Sequence, residues 1–200
     1  MDRIARSPSP DLAVRYADDC VFGFRMKQDA VEFMDFLRGR LGKFGLKLSE
    51  KKTRLIRFSR FAIGETSFDF LGFTLRWMET REGKPAIRAE TKKSKLLKAR
   101  EEARHFIQAN RNMRLKNLFQ KVGQKLNGFY AYFGTPGNSS PLNALYREVI
   151  ASLMKYLNRR SERKSYSWDT FQQMLSEFSL PIPRMRRPVE PQMSFIYALF

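Results

Sequence analysis

Val14-Arg15-Tyr16-Ala17-Asp18-Asp19-Cys20-Val21 sets two adjacent carboxylates among apolar, strand-forming neighbours. Leu12 and Val14 precede the pair, and Val21 and Phe22 follow it. The pattern predicts two short strands joined by a tight hairpin turn with the acids at its tip. Adjacent like charges repel, so a sequence that holds them between two strands calls for a cation. Mg²⁺ is a hard ion that prefers carboxylate and phosphate oxygens. Asp-Asp is also a common solvated turn, and the doublet alone leaves both readings open.

The composition narrows the choice. Two hundred residues can hold one large domain or two small ones, and 42% hydrophobic with 14% aromatic residues supplies a core. The formal net charge of +18 disfavours compaction unless a polyanion neutralises it, so nucleic acid is the expected partner. An anionic membrane surface would also attract it, but no apolar run is long enough to span a bilayer. Met1 to Pro8 contain no apolar core of signal-peptide type. The single Cys20 excludes an internal disulfide framework and fits a reducing cytoplasm, and the lone His105 excludes a Cys/His zinc cluster built from this chain alone.

Outward from the hairpin, Ser7-Pro8-Ser9-Pro10 reads as a loop. Ala30, Val31, Met34, Leu37, Leu41 and Phe44 recur at helical spacing, predicting a helix from about Gln28 to Lys43 that Gly45 ends. Leu55 to Phe58 reads as a short strand. Phe68-Asp69-Phe70-Leu71-Gly72-Phe73-Thr74-Leu75 reads as one strongly apolar strand continuing to Trp77. Arg81 to Lys84 turns the chain back into Ala86-Ile87-Arg88. Beyond Glu90 strand signals stop. Four helices are expected, to about Ala109, over Leu115–Phe133, from the Ser140-Pro141 cap to about Leu157, and from Ser167 to about Phe178.

Several blocks carry a family resemblance. Tyr16-Ala17-Asp18-Asp19, then Gly45-Leu46-Lys47-Leu48 with Lys52-Thr53-Arg54-Leu55-Ile56, then Phe68 to Phe73 stand in the order of a polymerase palm. Leu126-Asn127-Gly128-Phe129-Tyr130 through Gly134, Gly137-Asn138-Ser139, Leu157 to Ser161, Ser165 to Trp168 and Pro181 to Arg184 follow. Together they resemble a bacterial group II intron-encoded reverse transcriptase, or maturase. The resemblance implies an α+β fold: a partial palm over 1–90, an α-helical thumb (maturase domain X) over 91–188, and an extended tail over 189–200. Such enzymes carry fingers and the first half of the palm upstream of the hairpin, so the chain reads as a C-terminal half.

The resemblance also assigns roles. Asp18 is the principal catalytic metal ligand with Asp19 beside it, Mg²⁺ is the cofactor, and Tyr16, Lys52 and Gly72 lie near the nucleotide or primer. Two-metal nucleotidyl transfer needs carboxylates that clamp both ions, and the family takes a further aspartate from a neighbouring palm strand. Asp2, Asp11, Asp29, Asp35, Asp69 and Asp169 do not end an apolar strand that could sit beside the hairpin. Lys51 stands where the family usually has an acid. On the thumb, Lys92, Lys93, Lys95, Lys98, Arg159, Arg160, Arg163 and Lys164 are read as contacts to RNA phosphates. Tyr130, Tyr132, Tyr166 and Trp168 are candidates for stacking on unpaired bases, although helix-borne aromatics more often build core.

The expected function is therefore that of a truncated reverse transcriptase/maturase. It would bind intron RNA or a template-primer duplex without polymerising alone. The alternatives are a non-catalytic maturase module and one half of a split enzyme completed by a separate palm-and-fingers chain.

Overall fold

The structure, a computed structural model, describes residues 9–61, 67–80, 82–161, 166–185 and 197–199, the last three in backbone only. Two compact units share the chain: 1–88 with 190–200, and 89–189. The fold is α+β.

The first unit opens with the expected hairpin, β1 (Leu12–Tyr16) against β2 (Asp19–Phe24), antiparallel with Tyr16 opposite Asp19. Helix α1 (Lys27–Gly42) follows. Leu46 N–H donates to Leu41 C=O at 3.0 Å and Gly45 N–H to Gly42 C=O at 3.1 Å, with Gly45 at φ +70°. This pair of bonds closes the helix through a left-handed residue, the conformation that glycine adopts without a Cβ penalty. Strand β3 (Leu55–Arg57) comes next.

The apolar stretch from Phe68 to Trp77 is not one strand. It folds as β4 (Ser67–Phe70) and β5 (Phe73–Glu79), antiparallel with Phe70 opposite Phe73. Leu71 (φ +48°) and Gly72 (φ +79°) form the two-residue turn between them. Positive φ at both central positions is the primed geometry that matches the twist of paired strands. β6 (Pro85–Thr91) completes a three-stranded sheet in the order β4-β5-β6.

A second departure lies in the tail. Residues 197–199, expected as part of a separate extended segment, form β7 (Tyr197–Leu199) inside the first sheet, whose order is β1-β2-β7-β3. The sheet's two faces follow from period-two alternation. Phe24 and Leu55 pack with Ala30, Phe33 and Leu37 of α1 on one face. Val21 and Ile56, one residue out of phase, join Phe58 and Phe68 with Leu75 and Trp77 on the other.

The second unit is helical: α2 (Lys93–Ala109), α3 (Leu115–Phe133), α4 (Ser139–Leu157) and α5 (Trp168–Glu177). Leu118, Val122, Leu126, Tyr130 and Phe133 recur every three or four residues along α3, and all are buried. Leu142, Leu145, Val149, Leu153 and Tyr156 do the same along α4. Full burial of one such aliphatic side chain contributes about 1.5–3 kcal/mol. These two stripes are therefore the main apolar core of the unit.

The start of α4 differs from the Ser140-Pro141 cap. Asn138 is its N-cap residue, and the Asn138 side chain makes no capping bond. It is fully buried and turned inward. Its Oδ1 accepts from Thr91 N–H at 2.9 Å, and its Nδ2 donates to Thr91 Oγ1 at 2.8 Å and Phe133 C=O at 2.7 Å. One amide thus ties the end of β6, the end of α3 and the start of α4.

A charged clamp holds α2 to α4. Glu148, with a side chain 14% exposed, takes Arg100 NH2 at 2.7 Å and Arg104 NH2 at 2.8 Å. Burial pushes its carboxyl upward in pKa, but hydrogen bonds from Arg100 and Arg104 outweigh this and hold it below its ordinary value.

Candidate functional site

The carboxylate doublet sits where the sequence places it. The hairpin turn is Ala17-Asp18, and only the first of these has positive φ, at +53°. That is the II′ pattern, which favours glycine at the position Ala17 occupies. Arg15 Nε donates to Ala17 C=O at 2.9 Å and steadies the turn. Asp18 and Asp19 are exposed, as is Tyr16 at 65%. Among the described residues, neither carboxylate has an ion-pair or side-chain hydrogen-bond partner.

Three of the other described acids of this unit are engaged elsewhere. Asp11 accepts from Arg25 N–H at 3.0 Å, Asp35 pairs with Arg38 at 3.1 Å, and Asp69 accepts from Thr74 Oγ1 at 2.6 Å across the β4–β5 hairpin. No group of three metal-ligating side chains forms among the described residues. Two adjacent carboxylates fit a single hard cation whose remaining ligands are water and phosphate oxygens. They do not by themselves complete a clamp for two ions.

Lys52 lies in the turn whose Lys52 and Thr53 amides donate to Ser49 C=O at 3.0 and 2.8 Å, and its side chain is exposed. Gly72 is the second turn residue of the β4–β5 hairpin, so its positive φ serves that turn. Cys20 is half-buried on β2.

The second unit carries most of the charge. Residues 89–189 hold 20 Lys and Arg against 7 Asp and Glu, a net +13 of the chain's +18. Helix α2 starts on this excess. Lys92 is its N-cap residue, Lys93 and Lys95 lie in its first turn, and no acid is present there. Cations at a helix N-terminus oppose the macrodipole by about 0.3–1 kcal/mol each. Helix α3 likewise starts after Arg114, with Lys116 and no acid in its first turn. A bound polyanion relieves both penalties. Lys93, Lys95, Lys98 and Arg159 are exposed, and Lys98 reaches Glu102 at 3.8 Å.

Arg160 differs from the rest of the basic set. It is half-buried, and its NH2 donates to Met113 C=O at 2.9 Å, so its guanidinium holds the end of α4 to the loop before α3. Arg163 and Lys164 lie outside the described residues. Among the aromatics, Tyr132 (52%) and Trp168 (55%) are exposed, whereas Tyr130 is core at 7%. Burial also raises the pKa of the Tyr130 hydroxyl. Sequence reading missed Asn138 and Glu148, two polar side chains that hold the helices presenting this face. An asparagine just ahead of a predicted helix, and a lone acid in a basic segment, were the available signals.

Comparison with known proteins bears on the first unit. Residues 1–75 match the family model described as reverse transcriptase (RNA-dependent DNA polymerase). The likeness covers 75 of the chain's 200 residues. No curated protein and no solved structure matches the chain. The reverse transcriptase match spans the β1–β2 hairpin, α1, β3, β4 and the start of β5, and so includes Asp18, Asp19, Lys52 and Gly72. No helix among the described residues is long and apolar enough to cross a membrane.

Proposed function

We propose that this chain is part of a group II intron-type reverse transcriptase, or maturase, and that its helical unit binds RNA through the phosphate backbone. The observation that carries the reading is the net +13 of residues 89–189, with α2 starting on Lys92, Lys93 and Lys95 and no acid in its first turn. Phosphate contacts supply affinity and position without reading sequence. Exposed Tyr132 and Trp168 add faces on which unpaired bases stack.

Asp18 and Asp19 are read as the metal-ligating tip of the palm, with Mg²⁺ as the ion. A bound ion would neutralise phosphate charge and help bring a primer hydroxyl in line with it. The residues of this chain contribute the hairpin that presents both carboxylates, with Tyr16 beside them and Lys52 and Gly72 as further nucleotide or primer contacts. The 200-residue chain by itself is not expected to polymerise, because Asp11, Asp35 and Asp69 are engaged away from the turn.

Filter binding of the purified chain to a structured intron RNA, across a salt series, tests the RNA reading. The logarithm of affinity should fall steeply with the logarithm of salt, by about 0.7–0.9 per neutralised phosphate. A flat dependence, or equal affinity for random duplex, refutes the intron-RNA reading. Mg²⁺-dependent primer extension that Asp18→Ala abolishes would refute the expectation of inactivity.

A further inference from the structure

Helices α2, α3 and α4 of the second unit leave a cavity of about 230 Å³ between them. Its floor is Ile107, Val122, Leu126, Leu145 and Val149, each 3% exposed or less. Every floor side chain is hydrocarbon, so the floor is dry and offers a ligand dispersion contact and no hydrogen bond. Half-buried Phe106 and Phe129 add aromatic surface.

Close packing normally fills such a space. Here the wall residues are small: Ala99 and Ala103, one turn apart on α2, and Gly128 on α3. Gly128 stands inside α3, where glycine is a poor helix former. Its φ is not positive, and a Cβ built on it would meet no atom within 4 Å. Neither a turn nor a close neighbour requires glycine there. What it provides is open space at the cavity wall.

The mouth is charged. Among the described residues, Glu102 and Lys125 are the polar side chains that line the cavity, and both are exposed. Glu102 lies 3.8 Å from Lys98, so its charge is already matched. Lys125 has no ion-pair partner among the described residues. Its Nζ stands 4.8 Å from the centre of the Phe106 ring, at cation–π distance.

We propose that this cavity binds a small amphipathic anion: a hydrocarbon body about the size of two fused rings, with a carboxylate or sulfonate held at the mouth by Lys125. The size follows from the volume. A dry apolar cavity of about 150 Å³ takes benzene, and this one is about half as large again. The charge follows from the one uncommitted cation at the mouth, in a unit that is net +13. A nucleobase fits worse, because its ring edges carry donors and acceptors that this floor would leave unpaired. Apolar lining with a few polar groups that fix orientation is the usual make-up of a ligand site between helices. The inference does not depend on RNA binding.

The probe is 2-naphthoate, titrated into the full chain carrying isotope-labelled Leu and Val methyl groups. Ring currents should shift the methyl signals of Val122, Leu126, Leu145 and Val149. Those of Leu118 and Leu153, core residues outside the cavity, should stay in place. The uncharged isostere 2-naphthamide should bind about fivefold more weakly, the upper value for one exposed ion pair. Lys125→Gln should bring 2-naphthoate down to the affinity of the amide and leave the amide unchanged. Ala103→Leu fills the space and should abolish binding of both. If that variant fails to fold, Gly128→Leu takes its place, at an exposed position where leucine is the better helix former. The proposal is overturned if the four floor residues do not shift, or if acid and amide bind alike. It is also overturned if adenosine monophosphate shifts the same methyl groups as tightly as 2-naphthoate, which would make this a nucleotide site.

Discussion

Replacing Asn138 with alanine should cost the helical unit about 4 kcal/mol. The estimate is built from three bonds. Thr91 N–H loses its acceptor in a site where Thr91 is 5% exposed and Asn138 fully buried, so water does not replace it. An orphaned buried donor costs about 2 kcal/mol. Phe133 C=O keeps a second partner, Thr135 N–H at 2.8 Å, and Thr91 Oγ1 can turn. Those two bonds are each worth only the ordinary net value of about 1 kcal/mol. A domain of this size has about 5–15 kcal/mol in total, so the variant should still fold with a much lower urea midpoint. Urea titration followed by far-ultraviolet circular dichroism reads the loss, with the slope m unchanged. Thr91→Val, which removes only the hydroxyl, should cost about 1 kcal/mol by the same count. A loss below about 1 kcal/mol for Asn138→Ala at constant m would refute the reasoning, because it would mean the Thr91 amide finds another acceptor.

Three further outcomes follow from the geometry. Glu148→Gln removes the charge that Arg100 and Arg104 bind and should destabilise the helical unit by about 2 kcal/mol at neutral pH, as read by urea melts. Because the folded carboxyl titrates below its ordinary value, its stabilisation is complete above the unfolded value of about 4.3 and is lost as pH falls through the lower folded value. Melting midpoints across that acid range should lose this limb in the variant. Gly45→Ala forces a Cβ onto φ +70° with no steric contact within 4 Å, so the cost is conformational alone, about 1–2 kcal/mol, measured by thermal melts of the first unit. The double variant Lys93→Ala with Lys95→Ala should reduce the salt slope of RNA binding by about 1.4–1.8, while Glu101→Gln, off the helix start, should not reduce it.

The helices beyond residue 90 were legible because their cores are long 3.6-period stripes. Leu118, Val122 and Leu126 mark α3 by their spacing alone, and its bounds emerge as expected. The Asp18-Asp19 hairpin was legible for the opposite reason, two short apolar runs around an abrupt polar pair. Phe68 to Trp77 misled because Phe70-Leu71-Gly72-Phe73 keeps its apolar character straight through the turn. Only Gly72 marked it, and Leu71 at φ +48° is a residue that seldom adopts that conformation. β7 was illegible from local pattern, since its strand state is fixed by two partners more than 100 residues away in sequence. Arg160 read as surface charge because sequence records the guanidinium but not the Met113 carbonyl it reaches.

The position of β7 also sets a timetable for synthesis. Phe22 pairs with Leu199, so the first sheet cannot close until the ribosome has passed through the entire helical unit. Some 140 residues separate the end of β3 from the start of β7. At translation rates of about 5–20 residues per second, that interval lasts roughly 7–28 s. Local helices form in far less time, so the helical unit can fold while β2 and β3 still wait for a neighbour. During that interval the edges of Phe22 to Phe24 and of Leu55 to Arg57 that face β7 lack their ladder partners.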